Sequence, residues 1–405
     1  MTNGPGCLLA TGPVVLVPPP LPSAPQMHRT PNCAAAIVAI LLGAGACRDT
    51  NAAPAAGLAW QSVAAPSCSF TSVASSDPDL TLSRVEGLDV DSRGRIYVAD
   101  PLQGGVAVLS PDARPLRTVG RPGRGPGEFR YVRTVQVLPG DSLLVYDLEL
   151  YRLSVFAPDS GKIAYDRNLA STSTGTPPNW VEQLPGQRAL FAIHRKPYVA
   201  GASAADDHNR TQAVRLLEWD GRTRQDSVLV VPVLQPLIVR NGRAVSVTSD
   251  PFARPALVRL GPNGKIYYGW GDSIAIAIHS LDGQQVGGFS LPFAGPGITN
   301  RDIAAATEDM DKVFGRALRK SLPERWPAFR NFVVDDEGRI WLGLLAPDRQ
   351  PTRWTAFNET GTPICSAALP ANVDLRLIRG RKAYAVATDD ADVPQIRVYS
   401  VVGLN

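Results

Sequence analysis

The chain has 405 residues, 44% of them hydrophobic and 19% charged, with a formal net charge of +4. This composition excludes a wholly disordered chain and supplies ample material for a core. The small basic excess is by itself weak evidence for an anionic partner, because most such chains merely carry a solvated surface.

Residues 1–26 are Pro-rich without periodicity. They read as disordered, or as an extension upstream of the true start. Met27 opens a segment with a short basic region, His28-Arg29, followed by the apolar run Ala34 to Ala46. That run is too short to span a bilayer but suits the apolar region of an export signal. It ends Leu42-Gly43-Ala44-Gly45-Ala46-Cys47, small residues ahead of a cysteine. The expectation over 27–47 is a lipoprotein-type signal with Cys47 lipidated, although Ala44 stands where a leucine is usual. The other reading is an ordinary signal cleaved after Ala46. Residues 48–66 are Ala-rich and read as a tether. Export removes Cys7 and Cys33 and commits Cys47, so Cys68 and Cys365 remain. They are either a disulfide or two separate buried thiols. No later stretch is long and apolar enough for a transmembrane helix.

From Leu88 to Gly120 four short apolar-alternating runs follow one another. They are separated by Asp91-Ser92-Arg93-Gly94, Asp100-Pro101 and Ser110-Pro111-Asp112. Such alternation marks half-buried strands, and the Asp, Gly and Pro clusters mark tight turns. This is one four-stranded antiparallel meander, which cannot bury both faces alone. The pattern of Gly87 to Tyr97 recurs at Asn331 to Trp341, at Val258 to Tyr267 and, with its turn rewritten, at Val135 to Asp147. Recurrence of such a unit is the signature of a propeller-type array.

The segment Ile96-Tyr97-Val98-Ala99-Asp100, the connector Gly120 to Phe129 and Arg152-Leu153-Ser154-Val155-Phe156 resemble NHL-type repeats. The whole is similar to the bacterial exported and lipoprotein members of the NHL-repeat-like six-bladed β-propeller family. The resemblance is most specific over Val85 to Phe156 and implies a fold, not an activity. The expected fold class is therefore all-β, a six-bladed propeller of four-stranded antiparallel blades over 67–405. The blades run over Val85–Val119, Val132–Asn168, Trp180–Val233, Ala256–Leu291, Phe329–Leu369 and Leu375–Val401. Asn241-Gly242 reads as the turn of an extra hairpin between Leu237 and Thr248. The last blade has three good strands, and Ser69 to Val73 is expected to supply its fourth, closing the ring.

One segment is not β. Thr299 to Lys320 carries Ile303, Ala306, Met310, Val313, Phe314 and Leu318 at helical spacing. Thr299 or Asn300 caps it, Arg319 and Lys320 suit its C-terminus, and Pro323 stops it. It is either packed on the rim or a lid over the channel.

Candidate chemistry is sparse. Gly120 to Gly127 lacks the Lys-Ser/Thr of a phosphate loop and precedes a strand, so it reads as a blade connector. Asp100 and Asp147 end second strands and read as Asx turns, with Arg152 pairing Asp147. Of His194, His208 and His279, only His208 stands in a polar run, Asp206 to Asn209, which reads as an exposed loop. No ligand set for zinc and no G-x-S-x-G motif is present, so no catalytic residue, metal ligand or cofactor is assigned. Aligning the repeats by their turns places Glu86, Arg133, Ala256 and Arg330 at one position, with Arg84, Tyr131 and Arg254 two residues earlier. Asn179 and Asp374 are the loose equivalents. The expectation is a ring of Arg84, Arg133, Arg254 and Arg330 at one channel mouth, with Tyr131 and Trp180 ready to stack on a ring. That mouth either binds an anionic small molecule, peptide carboxylate or acidic glycan, or is a water-filled opening whose arginines pair with Glu86 and Asp374. The implied role is a binding platform for a ligand or protein at the cell envelope, reached through the lipid anchor. The alternative is a lyase- or lactonase-type enzyme using carboxylates or a metal at the mouth. RNA binding, known among NHL domains, is set aside because of export, so no nucleic-acid partner is expected.

Overall fold

The computed structural model describes residues 63–404, apart from 78–79, 171–175, 196–209, 234–235, 242–243, 255, 293–295, 345–351, 390 and 392. The extension, the signal with Cys47, most of the tether, the His208 run and Gly242 lie outside the described residues.

The chain folds as a six-bladed β-propeller. It opens with β1 (Ser69–Ser75). Blade 1 is β2 (Gly87–Val90), β3 (Ile96–Asp100), β4 (Gly105–Leu109) and β5 (Pro115–Val119). The connector β6 (Arg121–Pro122) and β7 (Glu128–Phe129) leads into blade 2, made of β8 (Val132–Val137), β9 (Leu143–Asp147), β10 (Arg152–Phe156) and β11 (Ile163–Asn168). Blade 3 is β12 (Trp180–Gln183), β13 (Ala189–Arg195), β14 (Thr211–Glu218) and β15 (Thr223–Pro232). The expected hairpin follows as β16 (Leu237–Asn241) and β17 (Ala244–Thr248). Blade 4 is β18 (Ala256–Leu260), β19 (Ile266–Trp270), β20 (Ile274–His279) and β21 (Gln285–Leu291). Helices α1 (Asn300–Thr307) and α2 (Lys312–Lys320) come next. Blade 5 is β22 (Phe329–Val334), β23 (Ile340–Leu344), β24 (Thr352–Phe357) and β25 (Pro363–Leu369). Blade 6 is β26 (Val373–Arg379), β27 (Lys382–Thr388) and β28 (Pro394–Val402), with β1 as its outermost strand.

The turn sequences explain why the meanders form. Asp91 Oδ1 accepts from the backbone N–H of Arg93 and Arg95, while Oδ2 accepts from Arg95 Nε and Tyr97 Oη. Asp335 repeats the arrangement with Glu337, Arg339 and Trp341 Nε1. Each buried carboxylate thus satisfies its own turn and pins the aromatic of the next strand. Gly94 (φ 78°) and Gly338 (φ 81°) supply the left-handed residue these turns require.

Each blade buries its faces against both neighbours. Six apolar cores stand between successive blades around the ring, and a seventh lies under the insertions. Trp341, Trp354, Tyr97 and Tyr146 are among the largest buried side chains. Each contributes on the order of 2–3 kcal/mol of hydrophobic burial.

The ring is closed by β1 pairing antiparallel with β28, from Ser69 opposite Val402 to Ser75 opposite Arg397. A disulfide joins Cys68 to Cys365 in β25, with the Cα atoms 5.6 Å apart. The first residues of the ring are therefore tied to blade 6 by hydrogen bonds and to blade 5 by a covalent bond.

Two expectations are corrected. The segment 299–320 is two helices, not one. Thr299 caps α1 in a capping box with Asp302, and Asp311 starts a second helix by accepting from Val313 N–H. A second local cap in mid-segment competes with continuing the first helix. Arg152 does not pair with Asp147. Its guanidinium bonds the carbonyl of Gly125 and lies 3.5 Å from Asp166 Oδ1. Asp147 is already filled, accepting from the N–H groups of Arg130, Tyr131, Glu149 and Leu150.

Candidate functional site

Four antiparallel strands return the chain to the face it started from, so every connection between blades lies on one face of the ring. Both insertions, β16–β17 and α1–α2, sit on that face. They pack on each other through Leu237, Phe252 and Leu318. No residue of α1 or α2 is among those lining the channel cavity, and α2 packs against β16 instead.

The channel holds a cavity of about 540 Å³ lined by all six inner strands. This is the size range of small-ligand sites. At the mouth on the insertion face, Glu86 gathers the predicted residues. It pairs with Arg84 and Arg133 and accepts from Tyr131 Oη at 3.1 Å. The Glu86 side chain is 11% exposed and that of Arg84 58%. Arg84 lies over the Tyr131 ring and Arg133 over the Trp180 ring, at 5.9 and 5.7 Å. The predicted stacking faces therefore have occupants already. Burial, then the Glu86 charge, pushes the Tyr131 phenol up.

Arg254 and Arg330 do not join this cluster, which corrects the expected ring of four arginines. Arg254 pairs with Asp272 and borders a second cavity, of about 710 Å³, against β16 and α2. Arg330 packs over the Trp326 ring at 5.8 Å and donates to the Pro251 carbonyl at 3.4 Å. The repeat alignment itself holds here, since Arg133 and Arg330 both fall at β-bulges of their inner strands. The insertions, which blade 1 and blade 2 lack, draw the blade 4 and blade 5 arginines away. Asp374 pairs with Arg376 at 2.9 Å.

Deeper in the channel stand charged residues that the turn alignment did not single out. Glu182 of β12 keeps some accessible surface, but that surface faces the channel, and the carboxyl is enclosed by protein. It accepts from Trp180 Nε1 at 2.7 Å and has no ion pair among the described residues. Burial raises its pKa, with Asp89 pushing the same way, against the pull of the Trp180 bond and the Arg259 charge. Arg259 of β18 is equally enclosed. Nη1 donates to the Val258 carbonyl at 3.1 Å and Nη2 to Asn331 Oδ1 at 3.0 Å. Both acceptors are neutral, and among the described residues no carboxylate forms an ion pair with Arg259. Burial lowers its pKa; Glu182 and Asp374 oppose this, while Arg376 and Arg195 add to it. Asn331 is held in turn by donating to Asp374 Oδ1 and to the Leu375 carbonyl, both at 3.2 Å. Asp89 of β2 pairs with Arg379 at 2.7 Å and accepts from the N–H groups of Val90 and Val137. Burial raises its pKa despite these partners.

The remaining candidates are structural. Asp100 accepts from Leu102 and Ser83 N–H, an Asx turn that also binds the incoming chain. Glu128 of the glycine-rich connector accepts from Arg124 and Gly125 N–H and from Arg121 Nε. His194 donates from Nδ1 to the Thr176 carbonyl, and His279 bonds the Gly283 carbonyl. Among the described residues no three His, Cys, Asp or Glu side chains converge as metal ligands would.

With this geometry in view, comparison with known proteins supports the architecture. No protein-family model matches the chain, and no curated protein sequence matches it. Solved structures do. A member of the DUF4221 family from Bacteroides vulgatus superposes with a TM-score of 0.53 at 11% identity, covering 84% of this chain and 99% of that one. A calcium-binding regucalcin from Agrobacterium tumefaciens gives 0.45 at 11%, covering 82% and 96%. Virginiamycin B lyase from Staphylococcus aureus gives 0.41 at 9%, covering 83% and 100%. At 11% identity the likeness to the DUF4221 member concerns the six-bladed fold alone.

Proposed function

We propose that this protein is an exported propeller, of NHL-like repeat type and anchored through Cys47, that binds a small carboxylate-bearing ligand in its central channel. The observation that carries the binding reading is Arg259. A guanidinium has five donors; two here meet neutral acceptors, the Phe332 ring lies 5.6 Å from its carbon, and among the described residues no carboxylate pairs with it. A buried charge without a counter-ion is costly, and a ligand carboxylate relieves that cost. The mouth arginines of blades 1 and 2 are both engaged by Glu86 and both cover the aromatic rings beside them, so the reading puts the ligand deeper than the mouth. Support for export comes from the segment Met27 to Cys47 and from the Cys68–Cys365 disulfide, a bond that persists in oxidising compartments.

The test is a thermal-shift and calorimetric screen of small carboxylates against the wild type and Arg259→Met. Ligands that raise the wild-type melting temperature are expected to lose at least tenfold in affinity in the variant. Unchanged binding in Arg259→Met would overturn the site. For the anchor, Cys47→Ser in a bacterial host should abolish lipid labelling, and unchanged membrane partitioning would refute it.

The alternative of a carboxylate-dependent enzyme rests on Glu182. It is the channel carboxyl with a raised pKa and no cationic partner in contact, as a general acid requires.

A further inference from the structure

The channel reading identifies one pole of the ligand. The other pole is visible in the way Glu182 and Arg259 are set against each other. They project into the same cavity from the inner strands of adjacent blades. They are close enough for each to shift the other's ionisation, yet no ion pair joins them. Two unlike charges that share an enclosed space gain most by meeting, unless their backbones hold them apart. Both side chains are so held. Trp180 Nε1 fixes Glu182 from its own strand. The Val258 carbonyl and Asn331, itself fastened to blade 6, fix Arg259. The space between them carries an anionic pole on one side and a cationic pole on the other.

We infer that the channel ligand is zwitterionic: a free α-amino acid or short peptide whose carboxylate meets Arg259 and whose ammonium meets Glu182. The inference rests on the channel reading above. A purely anionic ligand satisfies Arg259 but stands beside a carboxyl that disfavours further negative charge, with Asp89 behind it. A purely cationic ligand satisfies Glu182 but faces Arg259, the neighbouring Arg376 being already paired with Asp374. A ligand with both charges neutralises each pole without adding net charge to an enclosed site, which is the cheapest way to fill it. The ligand ammonium ionises Glu182, whose facing groups are Asp89 from β2, Arg259 from β18 and Trp180 on its own strand. Binding near the Glu182 pKa therefore releases a proton.

The test uses three probes of matched size on the full chain: alanylalanine, N-acetylalanylalanine and alanylalanine methyl ester. Calorimetry is expected to show alanylalanine binding at least tenfold more tightly than either blocked form. Glu182→Gln keeps the acceptor for Trp180 Nε1, so the fold is retained, which a melting curve verifies. In that variant the advantage of the free amine should vanish, while the N-acetyl probe, no longer beside a carboxylate, should bind at least as tightly as it does to the wild type. Titrations of the wild type in two buffers of different ionisation heat should detect proton release with alanylalanine, absent in Glu182→Gln. If the N-acetyl probe binds as tightly as alanylalanine, or the advantage persists in Glu182→Gln, the zwitterion inference fails and the carboxylate reading stands. If no carboxylate probe binds, both fail.

Discussion

Removing the Cys68–Cys365 bridge tests how the ring is closed. The two cysteines are 297 positions apart in sequence. Chain-entropy estimates for a loop of that length give roughly 5–6 kcal/mol of destabilisation of the unfolded chain, and native bridges deliver about 2–5 kcal/mol in practice. At roughly 2.1 cal/mol/K per residue, a domain of about 340 residues unfolds with an entropy near 0.7 kcal/mol/K, so 1 kcal/mol corresponds to about 1.4 °C. The double variant Cys68→Ala/Cys365→Ala should therefore melt roughly 3–7 °C below the wild type. It should still fold, because six residue pairs between β1 and β28 remain to close the ring. The assay is differential scanning calorimetry with and without a thiol reductant. Reductant should lower the wild type towards the variant and leave the variant where it is. A variant that melts within 1 °C of the wild type, or an equal response of both proteins to reductant, would refute the reasoning.

Other outcomes follow from single contacts. Asp335→Ala leaves Arg339 Nε and the indole N–H of Trp341 without an acceptor while Arg339 keeps its Glu337 pair, and should cost about 1–3 kcal/mol for each buried donor left unmade in urea unfolding. Gly120→Ala places a Cβ 2.3 Å from Phe129 Cε2 at a φ of 82°, and should cost more than about 2 kcal/mol. His194 is 3% exposed, and burial lowers its pKa from 6.5 to about 4. The unfolded state thus binds the proton first as pH falls, so stability is complete above pH 6.5 and is lost towards pH 4, by up to about 3 kcal/mol. In His194→Gln the loss between pH 7 and pH 4.5 should be correspondingly smaller, and parallel curves for the two proteins would contradict this. Glu182 has the opposite sign. Its raised carboxyl pKa makes the folded state the better proton binder, so the charged form lowers stability as pH rises past the unfolded value. Glu182→Gln should raise the melting temperature at pH 7 and change it little at pH 4.

The blades were legible because their turns are chemical rather than merely hydrophilic. Asp91 and Asp335 have few other ways to be buried than to fold their own turns, so the motif and the geometry imply each other. The partner of the incomplete last blade was legible because a ring leaves only one strand to fill it. The break between α1 and α2 was hidden by an apolar pattern that continues across it, while Asp311 reads as a cap only once the chain has turned there. At the site, turn alignment found the mouth but not what the mouth does. Side chains at equivalent positions are equivalent only where the connections above them match, and the insertions before blades 4 and 5 break that match for Arg254 and Arg330. Glu182 and Arg259 had a signal that went unused. A charge in the middle of an innermost strand cannot reach bulk water past its neighbours, so it faces the axis. Asp89, Glu182, Arg259 and Arg376 all meet that description.

The position of Cys68 also decides how the protein bears load. It lies immediately ahead of β1, on the chain that runs back towards the N-terminus. A pull on that chain meets the covalent link to β25 before it meets the first hydrogen bond between β1 and β28. Tension is passed to a strand paired along its whole length with β24, and the closing strand is spared from peeling. Held by its N-terminus in flow, the ring would be hauled by blade 5 while its seam stays slack.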